Sequence, residues 1–395
     1  MNVSFIFNVI ISMKTSDFII FISTVLTIYG IGNFYVFYHG LQALSGYQWI
    51  KPYYIVVFIF LALSYIAARF LQAYNYNGIS DVFLLIGSFW LAAILYFFLI
   101  SLTIDIFRAI NHFITIFPAF INFNYEKSKF AVLIVSVLTV SGLLVYGYFN
   151  AREPVINKIE LNLSKENSKN STLNIVAISD IHLGPLSSGK WFDDIVTKIN
   201  SLNPDVILLA GDVIDEDIKP VLDRNLGDHL LNLKSKYGVF AITGNHEYIG
   251  GVEPAVKYLT DHNITVLRDT AVFINNQFYL AGREDRDMER FSGKKRKSVE
   301  EVLAEVDIKY PVIFMNHQPT QLDELTSKGI DLSISGHTHH GQFFPNNLVT
   351  NLIYEVSKGL VKKEDTWIYV STGLGTWGPP IRIGNKPEIV NFIII

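Results

Sequence analysis

Four long apolar runs, Phe18 to Tyr38, Tyr53 to Tyr74, Val82 to Ile104 and Phe130 to Phe149, occupy most of the first 150 positions. Each is close to the roughly 20 residues that cross a hydrocarbon core about 30 Å thick, so the pattern predicts four transmembrane helices. A cleaved signal peptide does not account for them, because the first run is long and three more follow. Tyr29, Tyr35, Tyr38, Tyr53, Tyr54, Tyr74, Tyr146 and Tyr148 lie toward the run ends, as an interfacial aromatic belt requires. The 105–129 connection carries Ile114, Ile116, Phe117, Phe120 and Phe123, an interfacial pattern broken by Pro118.

Beyond residue 150 the period changes. Ile159, Leu161 and Leu163 alternate with polar residues, which predicts a strand, and Ser164 to Thr172 reads as a linker. Short runs rich in Val and Ile follow at 173–179, 205–210, 238–243, 311–316, 332–335 and 367–371. Their length and composition favour strands over helices. Helical stretches at 190–201 and 220–234 lie between them. Strand and helix in alternation predict an α/β core, with ligands beyond the carboxyl ends of the strands. The expected organisation is an all-α membrane domain over 1–150, a first strand and linker over 151–172, and a catalytic domain over 173–395.

Charge sharpens this division. Of 68 charged residues only ten fall before residue 151, so the two halves are built for different solvents. The net charge of -4 lacks the basic excess of a nucleic-acid binder, and no nucleic-acid partner is expected. With no cysteine there is neither a disulfide nor a thiolate metal site. Basic residues divide evenly between the two sides of the four runs, so the positive-inside rule does not orient the chain.

Five polar pieces follow the predicted strands: Asp180 and His182 in D-x-H, Asp212 in G-D-x-x-D, Asn245 and His246 in G-N-H-E, His317, and His337 and His339 in G-H-T-H. Carboxylate, imidazole and amide oxygen together suit divalent ions such as Mn²⁺, Zn²⁺ or Fe²⁺. Each piece alone also reads as turn or cap chemistry. In this order, each after a strand, the set resembles the calcineurin-like metallophosphoesterases, from the strand before Asp180 to the C-terminus. The H-T-H-x-G-Q ending and the Gly- and Pro-rich tail at 371–389 resemble the membrane-linked YkuE/YaeI-like branch.

The resemblance implies a four-layer β-sandwich of two mixed sheets flanked by helices. It implies two divalent ions, with Mn²⁺ favoured. One would be held by Asp180, His182, Asp212 and His339, the other by Asp212, Asn245, His317 and His337, with Asp212 bridging. His246 matches the family's non-ligand catalytic histidine, and a metal-bridging hydroxide would attack the phosphorus. Asp215 is expected to orient its loop. His340 breaks the alternation of its loop and is expected either behind the ligands as a supporting residue or at the rim reaching substrate, with Trp377 and Arg382 of the tail as further substrate contacts. The charge-dense insertion at 283–297 is expected to be a solvated face.

Four spans beside a phosphoesterase predict an integral protein of a bacterial cytoplasmic membrane, with membrane lipids as partners. An amphiphilic phosphodiester or pyrophosphate is the expected substrate. UDP-2,3-diacylglucosamine hydrolysis in lipid A synthesis is the candidate reaction. The alternatives are a membrane sensor or transport module with a phosphoesterase effector, a nuclease, or a protein phosphatase.

Overall fold

The computed structural model describes residues 15–74, 76–114, 126–163, 165, 172–187 and 189–395. The chain divides into two compact units, one of helices up to Tyr148 together with Gly378–Pro380 and the other drawn from Phe149–Trp377 and Ile381–Ile395.

The helical unit contains α1 (Thr15–Ala43), α2 (Lys51–Tyr74), α3 (Gly78–Phe113) and α4 (Glu126–Asn150). Among the described residues α2, α3 and α4 are long and apolar enough to cross a membrane, while α1 covers the first expected run. Asn77 caps α3, accepting from the Ile79 and Ser80 amides at 3.0 Å each, and Ser80 Oγ accepts from the Asn77 amide in return. Buried Trp90 donates from Nε1 to Asn33 Oδ1 at 3.0 Å, joining α3 to α1 without leaving either polar group bare.

Helix α3 runs past the expected end at Ile104. The polar residues there do not break it because Asp105 is paired: it accepts from Tyr35 Oη at 2.6 Å and lies 3.0 Å from His39 and 3.3 Å from Arg108. Ile116, Phe117, Phe120 and Phe123, and most of the expected 164–172 linker, lie outside the described residues.

The second unit holds two six-stranded sheets. Across the first run β1 (Val155–Leu161), β12 (Glu388–Ile394), β2 (Leu173–Ile178), β3 (Val206–Ala210), β4 (Val239–Ile242) and β5 (Ile264–Val266). The C-terminal strand β12 lies parallel to β1 and antiparallel to β2, and β2 to β5 are parallel neighbours. Across the second run β10 (Gly359–Lys363), β11 (Thr366–Val370), β9 (Leu332–Ser335), β8 (Val312–Met315), β7 (Phe278–Gly282) and β6 (Thr270–Ile274). Here β11, β9, β8 and β7 are parallel, with antiparallel strands at both edges.

Facing side chains of the two sheets, among them Ile175, Leu208, Leu280, Ile334 and Phe392, form the central core. A second core lies on the outer face of the first sheet. There α5 (Gly189–Ser201) buries Phe192, Ile195, Val196 and Ile199, a single stripe at i, i+3, i+4 and i+7. A third covers the outer face of the second sheet. These are the four layers of the expected α/β sandwich.

The 220–234 stretch departs from expectation. It is a short helix, Lys219–Asp223, then a separate 3₁₀ turn, Asp228–Asn232. Asn225 between them has φ of 50°, a left-handed conformation that ends a helix.

Phe392 is wholly buried and meets the Tyr369 ring edge-on at 5.3 Å. Phe392→Ala is expected to cost about 3–5 kcal/mol, read as an earlier unfolding transition of the detergent-purified full chain by circular dichroism.

Candidate metal centre

Parallel strands bring their carboxyl ends to one edge, and the polar pieces follow those ends. Asp180 follows β2, Asp212 follows β3 and Asn245 follows β4, three neighbours in the first sheet. His317 follows β8, and His337 and His339 follow β9, neighbours in the second. The backbone pays conformationally for the convergence. Asp180, His182, Asp212, His337 and His339 all have φ between 44° and 69°. Such residues cost on the order of 1 kcal/mol or more each and persist where surrounding structure fixes them, typically at functional sites. Glycines give the room. A Cβ at Gly244 would collide with Asp212 Oδ1, and one at Gly336 with Asp180 Oδ2.

The side chains form one buried cluster spanning both sheets. Asp180, His182 and His339 could hold one metal ion, and Asp212, His317 and His337 another. His182 Nε2 lies 3.0 Å from His339 Nε2 and 4.0 Å from Asp212 Oδ2. His339 Nε2 is 3.5 Å from Asp180 Oδ1. On the other side His317 Nε2 is 3.1 Å from Asp212 Oδ2, and His337 Nδ1 is 2.7 Å from Asn245 Oδ1. Asp212 therefore touches both groups.

These contacts fit divalent cations. His317 Nδ1 donates to the Ala210 carbonyl at 2.8 Å, which turns Nε2 toward the Asp212 carboxylate, a place for a proton or a cation. That atom, His182 Nδ1 and His246 Nδ1 are buried without a geometrically sound hydrogen bond. Two neutral imidazole nitrogens 3.0 Å apart, with carboxylates beside them, repel unless a proton or cation lies among them.

Electrostatics divides the histidines. Burial drives the His337 pKa down to about 3, and the neighbouring His317 adds to the shift. Burial also holds His339 well below its ordinary value, reinforced by His182 and Arg382. Both are neutral lone-pair donors. His246 goes the other way: burial opposes its charge, but the Asp212 and Asp215 carboxylates outweigh burial and raise it to about 10. Burial likewise opposes the charge on Asp212, yet His317 and His246 hold its pKa well below the usual carboxylate range.

Supporting groups surround this cluster. Asp215 Oδ1 lies 3.0 Å from His246 Nδ1 and 3.4 Å from His182 Nδ1, so it orients two histidines as well as its loop. Glu247, the last residue of G-N-H-E, acts through the backbone: its buried carboxylate accepts from the Asp212, Ile214 and Gly244 amides at 3.1, 2.9 and 2.7 Å. It ties the loop after β3 to the loop after β4. Asp285 is also buried, accepts from Gln318 Nε2 at 2.8 Å, and is raised to about 7 by burial.

Three positions stand in other surroundings than the sequence suggests. Arg382 does not lie on the surface. It is wholly buried, donating to the Thr372, Gly373 and Gly375 carbonyls and standing 3.3 Å from His339 Nδ1, so it shapes the tail loop and backs a candidate ligand. His340 is buried too. Its Nδ1 lies 2.9 Å from Ser357 Oγ, which fits a supporting place behind the ligands. The insertion at 283–297 is not wholly solvated: Arg283, Glu284 and Asp285 are buried, and Arg296 reaches Asn316 Oδ1 at 3.1 Å. Trp377 is more than half exposed, with its ring 6.1 Å from that of His246, at the edge of the cluster.

Two sheets with His, Asp and Asn donors at the carboxyl ends of adjacent parallel strands define a metallohydrolase class of site. Comparison with known proteins assigns the family. Residues 173–341 match the calcineurin-like phosphoesterase family. A metallophosphoesterase of Helicobacter pylori is 35% identical over 259 residues, covering 62% of this chain and 67% of the relative. A transmembrane protein with metallophosphoesterase domain from Danio rerio is 31% identical, covering 68% and 64%. The metallophosphoesterase YkuE of Bacillus subtilis is 27% identical, covering 68% and 96%. The chain belongs to the calcineurin-like metallophosphoesterases and is a metal-dependent phosphoester hydrolase.

Glu247→Ala is expected to weaken Mn²⁺ binding by about 10–100-fold, the usual effect of losing a group that orients metal ligands. Calorimetric titration of the metal-stripped full chain measures it. For Asp285, a native pKa above its ordinary value means extra protons in the folded state, so stability is lost as pH rises from about 4 toward about 7. Asp285→Asn removes that loss. The metal-stripped variant should melt above metal-stripped wild type at pH 8, with the difference vanishing near pH 4.

Proposed function

We propose that this protein is a membrane-anchored, dinuclear phosphoesterase that hydrolyses a phosphodiester or pyrophosphate bond of a lipid-like or lipid-linked substrate. The observation that carries the reading is the single buried cluster of seven donors drawn from both sheets, with Asp212 shared between its halves. Asp180, His182, Asp212 and His339 are assigned to one ion. Asp212, Asn245, His317 and His337 are assigned to the other. When bound, divalent ions lower the pKa of water and neutralise charge on phosphoryl oxygens. Mn²⁺ is favoured by the mixed carboxylate, imidazole and amide set, with Zn²⁺ or Fe²⁺ as alternatives.

The protein's own residues do the rest. His246, kept protonated by Asp212 and Asp215, is placed to deliver a proton from Nε2 to the leaving oxygen while Asp215 holds its Nδ1 side. Trp377 presents an exposed aromatic surface beside His246, suited to an apolar or ring-bearing leaving group. Arg382 and Asn385 hold the loop carrying His339, Asn385 donating to the His339 carbonyl at 2.8 Å. The lipid-linked part of the reading is supported by the three long apolar helices and by the name of the Danio rerio relative. An anchor confines the catalytic unit near the bilayer and raises the effective concentration of membrane substrates. UDP-2,3-diacylglucosamine remains the named candidate among these.

The test is turnover by the full chain with Mn²⁺ of bis-p-nitrophenyl phosphate, UDP-2,3-diacylglucosamine, phospholipids, a phosphopeptide and single-stranded DNA. The expected result is turnover of an amphiphilic member, abolished by EDTA and by Asp212→Asn. Equal activity in that variant would contradict the dinuclear reading. DNA or phosphopeptide cleavage without lipid turnover would contradict the substrate class. His246→Ala is expected to lower kcat by about 10²–10⁴-fold, with the smaller losses on p-nitrophenyl esters, whose leaving group needs no proton.

A further inference from the structure

The helical unit encloses a cavity of about 680 Å³, within the range of about 300–1,000 Å³ typical of ligand sites. All four helices line it, and its lining is graded. Helices α1 and α2 are joined by a short connection, so the α1 C-terminus and α2 N-terminus share one end of the unit. The cavity's charged residues and most of its polar ones come from that end: His39 and Gln42 of α1, Ser101 and Arg108 near the α3 C-terminus, Ser128 and Lys129 at the α4 N-terminus, with Ser136 and Ser141 further along α4. Away from it the walls are Val57, Leu61, Trp90, Ala93, Val137 and Leu144.

The charge is one-sided. Among the described residues lining the cavity the formally charged ones are Arg108 and Lys129, and none is acidic. Asp105 is outside the lining and holds Arg108 at 3.3 Å and His39 at 3.0 Å, which fixes the polar end. A cavity largely apolar along its length and cationic at one end matches an amphiphile with an anionic head. Lys and Arg are the usual phosphate partners, and anionic headgroups attract basic residues near a membrane surface.

We propose that this cavity binds an anionic phospholipid, its acyl chain along Trp90, Leu61 and Leu144 and its phosphate at Arg108 and Lys129. The site is distinct from the metal centre, and no catalytic role is required of it. The phosphoesterase reading can fail without affecting it, because binding is scored without turnover.

Native mass spectrometry of the full chain in a neutral detergent provides the test, with phosphatidylglycerol and phosphatidylcholine of identical chains as probes. Wild type is expected to retain phosphatidylglycerol with about a tenfold preference or more. Arg108→Gln combined with Lys129→Gln should reduce that retention about tenfold while leaving the melting profile by circular dichroism near wild type. Val137→Trp provides a second arm: it fills the apolar part from a partly exposed position, leaves every charge in place, and should also expel the lipid. Equal retention of phosphatidylcholine would overturn the proposal, as would competition by soluble glycerol 3-phosphate, which would mark a free-anion site. Undiminished retention in Val137→Trp would overturn it too, even where the charge variant failed to fold.

Discussion

The catalytic unit is arranged around a buried convergence of imidazoles and carboxylates. Ring nitrogens of His182 and His339 face each other at 3.0 Å, and the Nε2 of His317 faces the Asp212 carboxylate at 3.1 Å. Water is largely excluded, so the cluster depends on protons or cations held among these atoms and not on solvent. The surrounding features hold them together regardless. Five ligand positions take left-handed backbone conformations. Gly244 and Gly336 admit carboxylates where a Cβ would collide. Glu247 locks two loops through three amides. Such an arrangement calls for positive charge among its donors, carried by protons or by bound divalent cations.

The same electrostatics separates roles among residues of one type. His337 and His339 are buried near other bases and remain neutral, so they donate lone pairs. His246 lies within reach of two carboxylates and remains charged, so it carries a proton. Position in the carboxylate field, more than residue identity, makes one histidine a donor and another an acid.

Much of this was legible in the sequence, because the signal was local. Five of the six short Val- and Ile-rich runs end in a polar piece and run as strands into a candidate donor, as β3 runs into Gly211 and Asp212. What was not legible depended on contacts across the fold. Arg382 looked like a free cation in a shaped loop. Its burial is set by four acceptors that only the folded tail brings together. Asp285 sat inside a run that reads as solvent-exposed by charge density, and its burial follows from Gln318 and Thr243 reaching it from other strands. His340 shares the density of its neighbours, yet its Nδ1 meets Ser357 Oγ, a partner 17 residues away that the loop alone does not reveal. The longer α3 was hidden because Asp105 and Arg108 looked like a helix end until Tyr35 and His39 supplied partners. The Glu247 clamp had a readable trace, a Glu three residues after Gly244, which is capping-box spacing.

The central claim is that one protein cluster holds two ions through a shared carboxylate. The direct measurement is metal stoichiometry of the purified full chain by inductively coupled plasma mass spectrometry after equilibration with Mn²⁺ and removal of excess. The account predicts two ions per chain in wild type and a loss of both in Asp212→Ala. A single ion in wild type, or two ions retained without the Asp212 carboxylate, would contradict it.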